Sequence, residues 1–422
     1  MNEHFLAFVW RRRLFQLPCL TTDGQDLDII HPGFLNHDGG PDFKEAKIRI
    51  NGTLWHGHVE LHVKSSDWYR HKHESDPAYD NVILHVVHEA DEEVKNAPGR
   101  TLDCLELRSL IPDKLIHQWQ SMSEALHWLP CHAHIKKVNE LTLTKTKEGM
   151  AVERLMVKVN EWKKRLDDLT GDWNQLCFEK LCYAFGLKVN GNIFEQMAIQ
   201  TPWKILSRES FVLKRVEALL FGQCALLDNG SDPYFVSLKR DYDFLQSKFD
   251  LQPIRSGSVQ FLRTRPHNFP TIRIAQLAAL IHSDPTVIQK LLTTFDLSSI
   301  RHLFKIEVNP YWKGHYMFGK PTKSASRSIT KDMLDRIIIN AIVPLQFLYA
   351  DVHDDDQMKQ KALGLLESID PEKNKIVSAW KKEGMTCANA LESQGLLFIE
   401  RQYCRGKKCF QCGIGSVLLG QT

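Results

Sequence analysis

Between Leu54 and Lys64 the chain alternates, with Trp55, Gly57, Val59, Leu61 and Val63 in one set of positions and His56, His58, Glu60, His62 and Lys64 in the other. Side chains on a strand point to opposite faces in turn, so this spacing predicts a β-strand with one apolar and one ionisable face. Five polar groups on one face of a core strand are costly unless they are solvated or bind something. Extended patterns also occupy 26–31, 43–50, 81–89 and 102–108, and Asn51-Gly52 is a tight-hairpin signal between two of them. Phe5, Phe8, Val9 and Leu14 mark one side of a short helix over 3–15, and 66–73 reads as a second, started by Ser66 or Asp67. The predicted order is helix, three strands, helix, strand.

From about residue 136 the period changes to that of helices. A long charged helix is predicted over 145–169, with Met150, Val152, Leu155, Met156, Val159, Trp162 and Leu166 on its apolar side. Further helices follow at 174–186, 193–199, 211–226, 235–249, 273–282, 285–295, 330–350, 357–368, 371–382 and 387–401, punctuated by Gly, Pro, Asn and Asp. The expected layout is an α/β domain over 1–115, a junction over 116–140, and a mostly α-helical domain over 141–422 that carries a C-terminal cysteine cluster.

At 422 residues the chain is long for a single core, which agrees with two domains. A formal charge of +3 is too small to argue nucleic-acid binding, so any basic surface must be local. The short apolar stretch Phe5–Trp10 precedes Arg11, Arg12 and Arg13 instead of following them, the wrong order for a signal peptide. With no further segment approaching 18 apolar residues, the expectation is a cytoplasmic protein without membrane association. Ten cysteines in such a compartment should be reduced, and a tight group among them points to metal.

Nine of the 19 histidines fall between His31 and His88, which marks the first domain as the chemical one. Asp42 opens the strand before Glu60, so two acids with clustered basic groups stand on adjacent strands. That is a donor set for a Mg or Mn ion acting on phosphodiesters, with His58 as a further ligand and His62 or Lys64 assisting. Each histidine taken singly also fits a surface or hydrogen-bonded core role. Asp67, His71 and His73 either line the same cleft or cap the helix. A zinc hydrolase using two of the histidines with Glu60 is a competing chemistry, although no H-E-x-x-H spacing is present.

The element order, Pro41-Asp42 opening a strand and an acid in the middle of the next resemble the PD-(D/E)XK nuclease superfamily over the first 90–110 residues. The resemblance implies a restriction-endonuclease-like α-β-β-β-α-β core, with Asp42 and Glu60 as metal-binding carboxylates. The sequence departs at the motif's lysine, where His62 stands; Lys64 follows two residues later. Over its whole length the chain also looks like an uncharacterised bacterial family, a domain of unknown function. The phrases that carry this are GGPDF (39–43), HVELHV (58–63), DWYRHKH (67–73), NVILHVV (81–87), RTRPHNFPTIR (263–273), NPYWKGHY (309–316) and YCRGKKCFQC (403–412).

Cys404, Cys409 and Cys412 lie within nine residues among Arg405, Lys407 and Lys408. Basic neighbours favour the thiolate, and the spacing suits a zinc knuckle or an iron–sulfur cluster, with Cys131 or Cys387 as fourth ligand. Some nucleases of the superfamily named above pin their fold with a cluster from one distant cysteine and a C-terminal three, which favours Cys131 and iron–sulfur. Unligated cysteines at a helix end are the plain alternative. Arg263, Arg265, His267 and Arg273 occupy a loop that could hold phosphates or pair with carboxylates; Trp312, Lys313, His315, Tyr316 and Lys320 invite the same two readings. The expected function is a metal-dependent nuclease-like protein acting on nucleic acid. The alternative is a non-catalytic nucleic-acid-binding or scaffold protein on a decayed nuclease fold.

Overall fold

The protein is described by a computed structural model over residues 1–36, 39–96 and 99–420. The first amphipathic stretch folds as α1 (Glu3–Arg12), with the Asn2 side chain accepting a hydrogen bond from the Phe5 N–H at its start. The strands that follow are β1 (Cys19–Leu20), β2 (Asp26–His31), β3 (Phe34–Leu35), β4 (Phe43–Ile50) and β5 (Thr53–Lys64), then β6 (Val82–Glu89) and β7 (Cys104–Glu106). Helix α2 (Asp67–Arg70) lies between β5 and β6, and α3 (Asp113–Ser123) follows β7.

The seven strands form one mixed sheet in the order β1-β2-β4-β5-β6-β7, with β3 also paired to β4. Pairings from β1 to β5 are antiparallel, and β5-β6 and β6-β7 are parallel. The β4-β5 hairpin turns on Asn51 and Gly52, both at positive φ (48° and 77°), the left-handed pair that a tight two-residue hairpin demands. Leu27, Ile29, Ala46, Ile48, Ile50, Val59 and Leu61 are buried along one side, and α1 packs on β5 with Phe5, Leu6, Val9 and Trp10 buried. A smaller apolar cluster of Trp68, Tyr79, Val82, Val94 and Leu102 forms around α2 and the start of β6. Gly57 is required by the parallel neighbour: a Cβ there would stand 2.4 Å from Ile83 Cγ2 and 2.5 Å from the Asn81 carbonyl oxygen.

From α4 (Glu140–Asp168) onward the chain is mostly helical. The chain divides into two units: Met1–Thr146 with Lys382–Gly384 and Leu397–Thr422, and Lys147–Lys381 with Met385–Leu396. The cut therefore falls inside α4, later than the expected junction at 116–140. The tail after Leu397 belongs with the sheet unit, not with the helices as its sequence position suggested. The reason is packing: its last helix, Gly413–Gly420, lies against α3, and the Gln118 Nε2 donates to the Leu418 carbonyl at 3.2 Å.

The helical unit has a continuous apolar core through its helices. Helix α5 (Trp173–Ile199) breaks at Leu187 (φ 54°, ψ −159°), where the sequence pattern also changed phase. Among the described residues one helix, Lys331–Val352, is long and apolar enough in composition to cross a membrane, contrary to the reading of the sequence, and 78% of its apolar window is buried in the protein.

Candidate metal centre

The sheet unit's ionisable face is assembled by a register shift. Ala46 pairs with Gly57, but Phe43 pairs with Val59, so Lys44 and Glu45 together oppose a single residue of β5. Glu45 takes φ 58°, the left-handed residue of a β-bulge. Because side chains alternate, a one-residue slip exchanges faces. Without the bulge, Asp42 would oppose Leu61 on the apolar side; with it, Asp42 stands across from Glu60.

The two carboxylates lock each other's strand in place. Glu60 Oε2 accepts from the Asp42 N–H at 3.0 Å, and Asp42 Oδ2 accepts from the Leu61 N–H at 3.1 Å. One oxygen of each is thus held by backbone. Glu60 Oε1 faces His73 Nε2 at 3.4 Å and His62 Nε2 at 3.7 Å.

His62, 1% exposed, is the hub of an imidazole cluster. Its Nδ1 lies 2.8 Å from His85 Nε2 and its Nε2 lies 3.1 Å from His71 Nδ1. His73 joins from two residues beyond His71, because Lys72 between them is left-handed (φ 63°) and turns both rings toward β5. Ligand atoms of His62, His71 and His73 all lie within 4.8 Å of one another. His73 Nε2 and His85 Nδ1 are buried with no hydrogen-bond partner. Trp68 and Tyr79 wall the group, Tyr79 stacking on His73 at 3.8 Å between ring centroids, while His71 is exposed.

Electrostatics follow from this burial. His62 is pushed down to about 2 by desolvation and then by His85, His73 and His71; His85 falls to about 3, again by burial first. These rings are neutral at physiological pH, as a ligand must be. Asp42 rises to about 7 because burial and then the neighbouring Glu60 disfavour its charge. Tyr79 rises to about 12 through burial, Glu60 and Asp42. Three imidazole nitrogens and a carboxylate oxygen converge there, the His73 Nε2 among them without a hydrogen bond, and the group is open on the His71 side; the set fits a divalent ion with an accessible position. In the tautomer that leaves the His62 Nε2 lone pair free, His62 Nδ1–H donates to His85, an outer-shell orientation typical of metal-bound histidine.

Asp42, Glu60 and His62 are thus brought together as the sequence suggested. Lys64 is not with them: it is solvent-facing and pairs with Asp91 at 3.8 Å, because the strand end turns toward the Ser65-Ser66-Asp91 network. His58 stands by the bulge, its Nδ1 3.4 Å from the Glu45 N–H, apart from the other imidazoles. Asp67 accepts from the Lys64 N–H and pairs with Arg70 at 2.9 Å, so it holds the turn instead of lining the site. His37 lies outside the described residues. Sequence reasoning passed over His85 and Tyr79. The signal for His85 was available: a lone histidine inside the apolar run NVILHVV.

Elsewhere in the sheet unit, Cys131, Cys404, Cys409 and Cys412 are buried and free; burial raises the thiol pKa values of Cys131, Cys404 and Cys409, and the neighbouring cysteines of the group, close enough to act on them, raise them further. Cys387 is not among them: the charges that act on it are Lys147 and Glu392. In the helical unit Arg263, Arg265, His267 and Arg273 line an open cleft of about 670 Å³ with Lys188 and Arg336. Arg273, 4% exposed, bonds the side-chain oxygens of Gln276 and Asn268. Among the described residues none of these three arginines has a carboxylate within 4.0 Å, so the expected helix-to-helix ion pairs are not what places them. The segment 311–320 is structural: Trp312 is buried on Glu217, Tyr311 stacks on His315, and Lys313 pairs with Glu307.

No curated protein and no solved structure matches this chain. The family model that does match, described as Protein of unknown function (DUF2851), spans residues 3–375.

Proposed function

The chain belongs to the DUF2851 family, whose description names no reaction; from that premise we propose that its sheet unit is a metal-dependent hydrolase of phosphodiesters, acting on nucleic acid. The observation that carries the reading is the convergence of His62, His71, His73 and Glu60 beside Asp42, with the buried His73 Nε2 facing Glu60 and making no hydrogen bond. Three imidazoles with carboxylates suit zinc or manganese better than magnesium, which prefers oxygen donors. An ion held there supplies an acidified water and a positive charge beside the reacting phosphorus.

The chain's own groups divide the remaining work. Asp42, whose Oδ1 is not taken by the backbone bond that holds Oδ2, is poised beside Glu60 to take a proton from the attacking water and return it. Tyr79 stays protonated and offers a hydroxyl donor to developing negative charge. The bulge, α2 and His85 hold these groups before substrate arrives. The resemblance of Pro41-Asp42 and Glu60-x-His62 to the PD-(D/E)XK pattern supports the phosphodiester, and with it a restriction-endonuclease-like reading of the sheet. His62 takes the place of the motif's lysine. The arginine-lined cleft of the helical unit supports a polyanionic substrate.

The test is cleavage of mixed single- and double-stranded DNA and RNA by metal-stripped protein reloaded with Mn²⁺ or Zn²⁺. Glu60→Gln should abolish cleavage and weaken metal binding while leaving thermal stability near that of the wild type. Tight metal binding without cleavage of any nucleic acid would support a binding or scaffold protein and overturn the hydrolase.

A further inference from the structure

We infer that Cys131, Cys404, Cys409 and Cys412 form a four-thiolate metal site that takes an iron–sulfur cluster or zinc, a second metal centre in the sheet unit that is independent of the histidine site. Three separate segments deliver the four thiols: the turn that starts the Ile135–Lys137 helical turn, the end of the Glu400–Cys404 turn, and the Cys409–Gln411 turn with Cys412 after it. All four are 6–8% exposed, and none is in a disulfide. Free cysteines are buried elsewhere in the chain as small apolar residues, Cys177, Cys182 and Cys224 among them; what sets these four apart is that separate segments bring them within reach of one another's charge, as thiolates around a metal centre require.

The surroundings are built for an anionic centre. The N–H groups of Ile414 and Gly415, at the start of the last helix, point at Cys412. Gly415 admits this close approach, since a Cβ would lie 2.2 Å from the Cys409 carbonyl oxygen. Lys407 acts on Cys409 with a positive charge, and N–H donors and cations around the sulfurs are the groups that tune such clusters.

Four thiolates suit a structural zinc and an iron–sulfur cluster alike. The centre's place is structural: it ties the turn after Leu129 to the last helix, which packs on α3 and against the Ile135–Lys137 turn.

The experiment is anaerobic purification of the full chain with iron, acid-labile sulfide and zinc analysis and a visible spectrum. The expected protein carries one thiolate-bound centre per chain: brown colour with iron and acid-labile sulfide marks a cluster, and colourless protein with zinc marks a zinc site. Cys412→Ser should lose that centre, and Cys387→Ser should keep it. Should the Cys412→Ser chain fail to fold, stripping the metal from the wild type serves instead: it should lower the melting temperature as the metal is lost. A metal-free chain, or a Cys412→Ser chain with the metal content of the wild type, would overturn the site.

Discussion

Acidifying metal-stripped protein should unfasten the sheet unit well before the helical one. His62 and His85 are almost fully buried and have folded pKa values near 2 and 3, against an ordinary 6.5. A base whose folded pKa is depressed takes up its proton first in the unfolded chain, so its stabilisation is complete above pH 6.5 and drains away below it. Each pH unit in that window costs about 1.4 kcal/mol per imidazole, so at pH 4.5 the pair costs about 5 kcal/mol. Asp42 works the other way: its folded value near 7 lies above the ordinary 3.8, so the fold takes up a proton across the same window. That offsets about one imidazole, leaving a net loss of about 3 kcal/mol. The assay is hydrogen exchange of peptides covering β5 and β6, since a two-unit chain need not unfold in one step. Corrected for intrinsic rates, exchange should speed up roughly 100-fold between pH 6.5 and 4.5. In a His62→Gln, His85→Leu variant the Asp42 term acts alone, so the same peptides should lose no protection on acidification. Equal acid sensitivity of variant and wild type would refute the reasoning.

Three further outcomes are expected. His85→Ala removes no ligand but frees the His62 ring, and should weaken metal binding by about 10- to 100-fold in titration calorimetry. Gly57→Ala places a methyl 2.4 Å from Ile83 Cγ2 and should destabilise by about 1–3 kcal/mol or more, read as a lower melting temperature. Glu392→Ala strands Lys147, which is 3% exposed and bonded to Glu392 at 2.6 Å; it should cost about 3–5 kcal/mol in urea unfolding, while Lys147→Met with Glu392→Leu should be nearly neutral.

Much of this was legible in the chain because the strand period is strict. The alternation of Trp55 to Lys64, the Asn51-Gly52 turn and the apolar run after Asn81 each report a local preference, and the sheet obeys them. What local pattern could not carry was register. Nothing in PDFKEAK announces that Glu45 turns left-handed, yet that residue decides which face Asp42 takes. Lys64 was misplaced for a related reason: sharing a strand face with Glu60 says nothing of how far along it a long side chain leans, and Asp91 claims it. His71 and His73 were seen, but their convergence depends on the backbone twist at Lys72. The alliance of the tail with the first unit rests on contacts between residues hundreds of positions apart, which no window of sequence spans.

The discontinuity of the sheet unit has a consequence for how the protein comes into being. Its strands leave the ribosome before the helical unit, but Leu397–Thr422, which completes it, leaves after the helical unit. At typical synthesis rates the interval is roughly 10–50 s. During that time α3 has no partner for the face on which the last helix will sit, and Cys131 waits for three thiols that do not yet exist. A ribosome that stalls late therefore yields a finished helical unit joined to an unfinished sheet unit. Completion of the histidine-bearing half becomes a report that the helical unit has already been made.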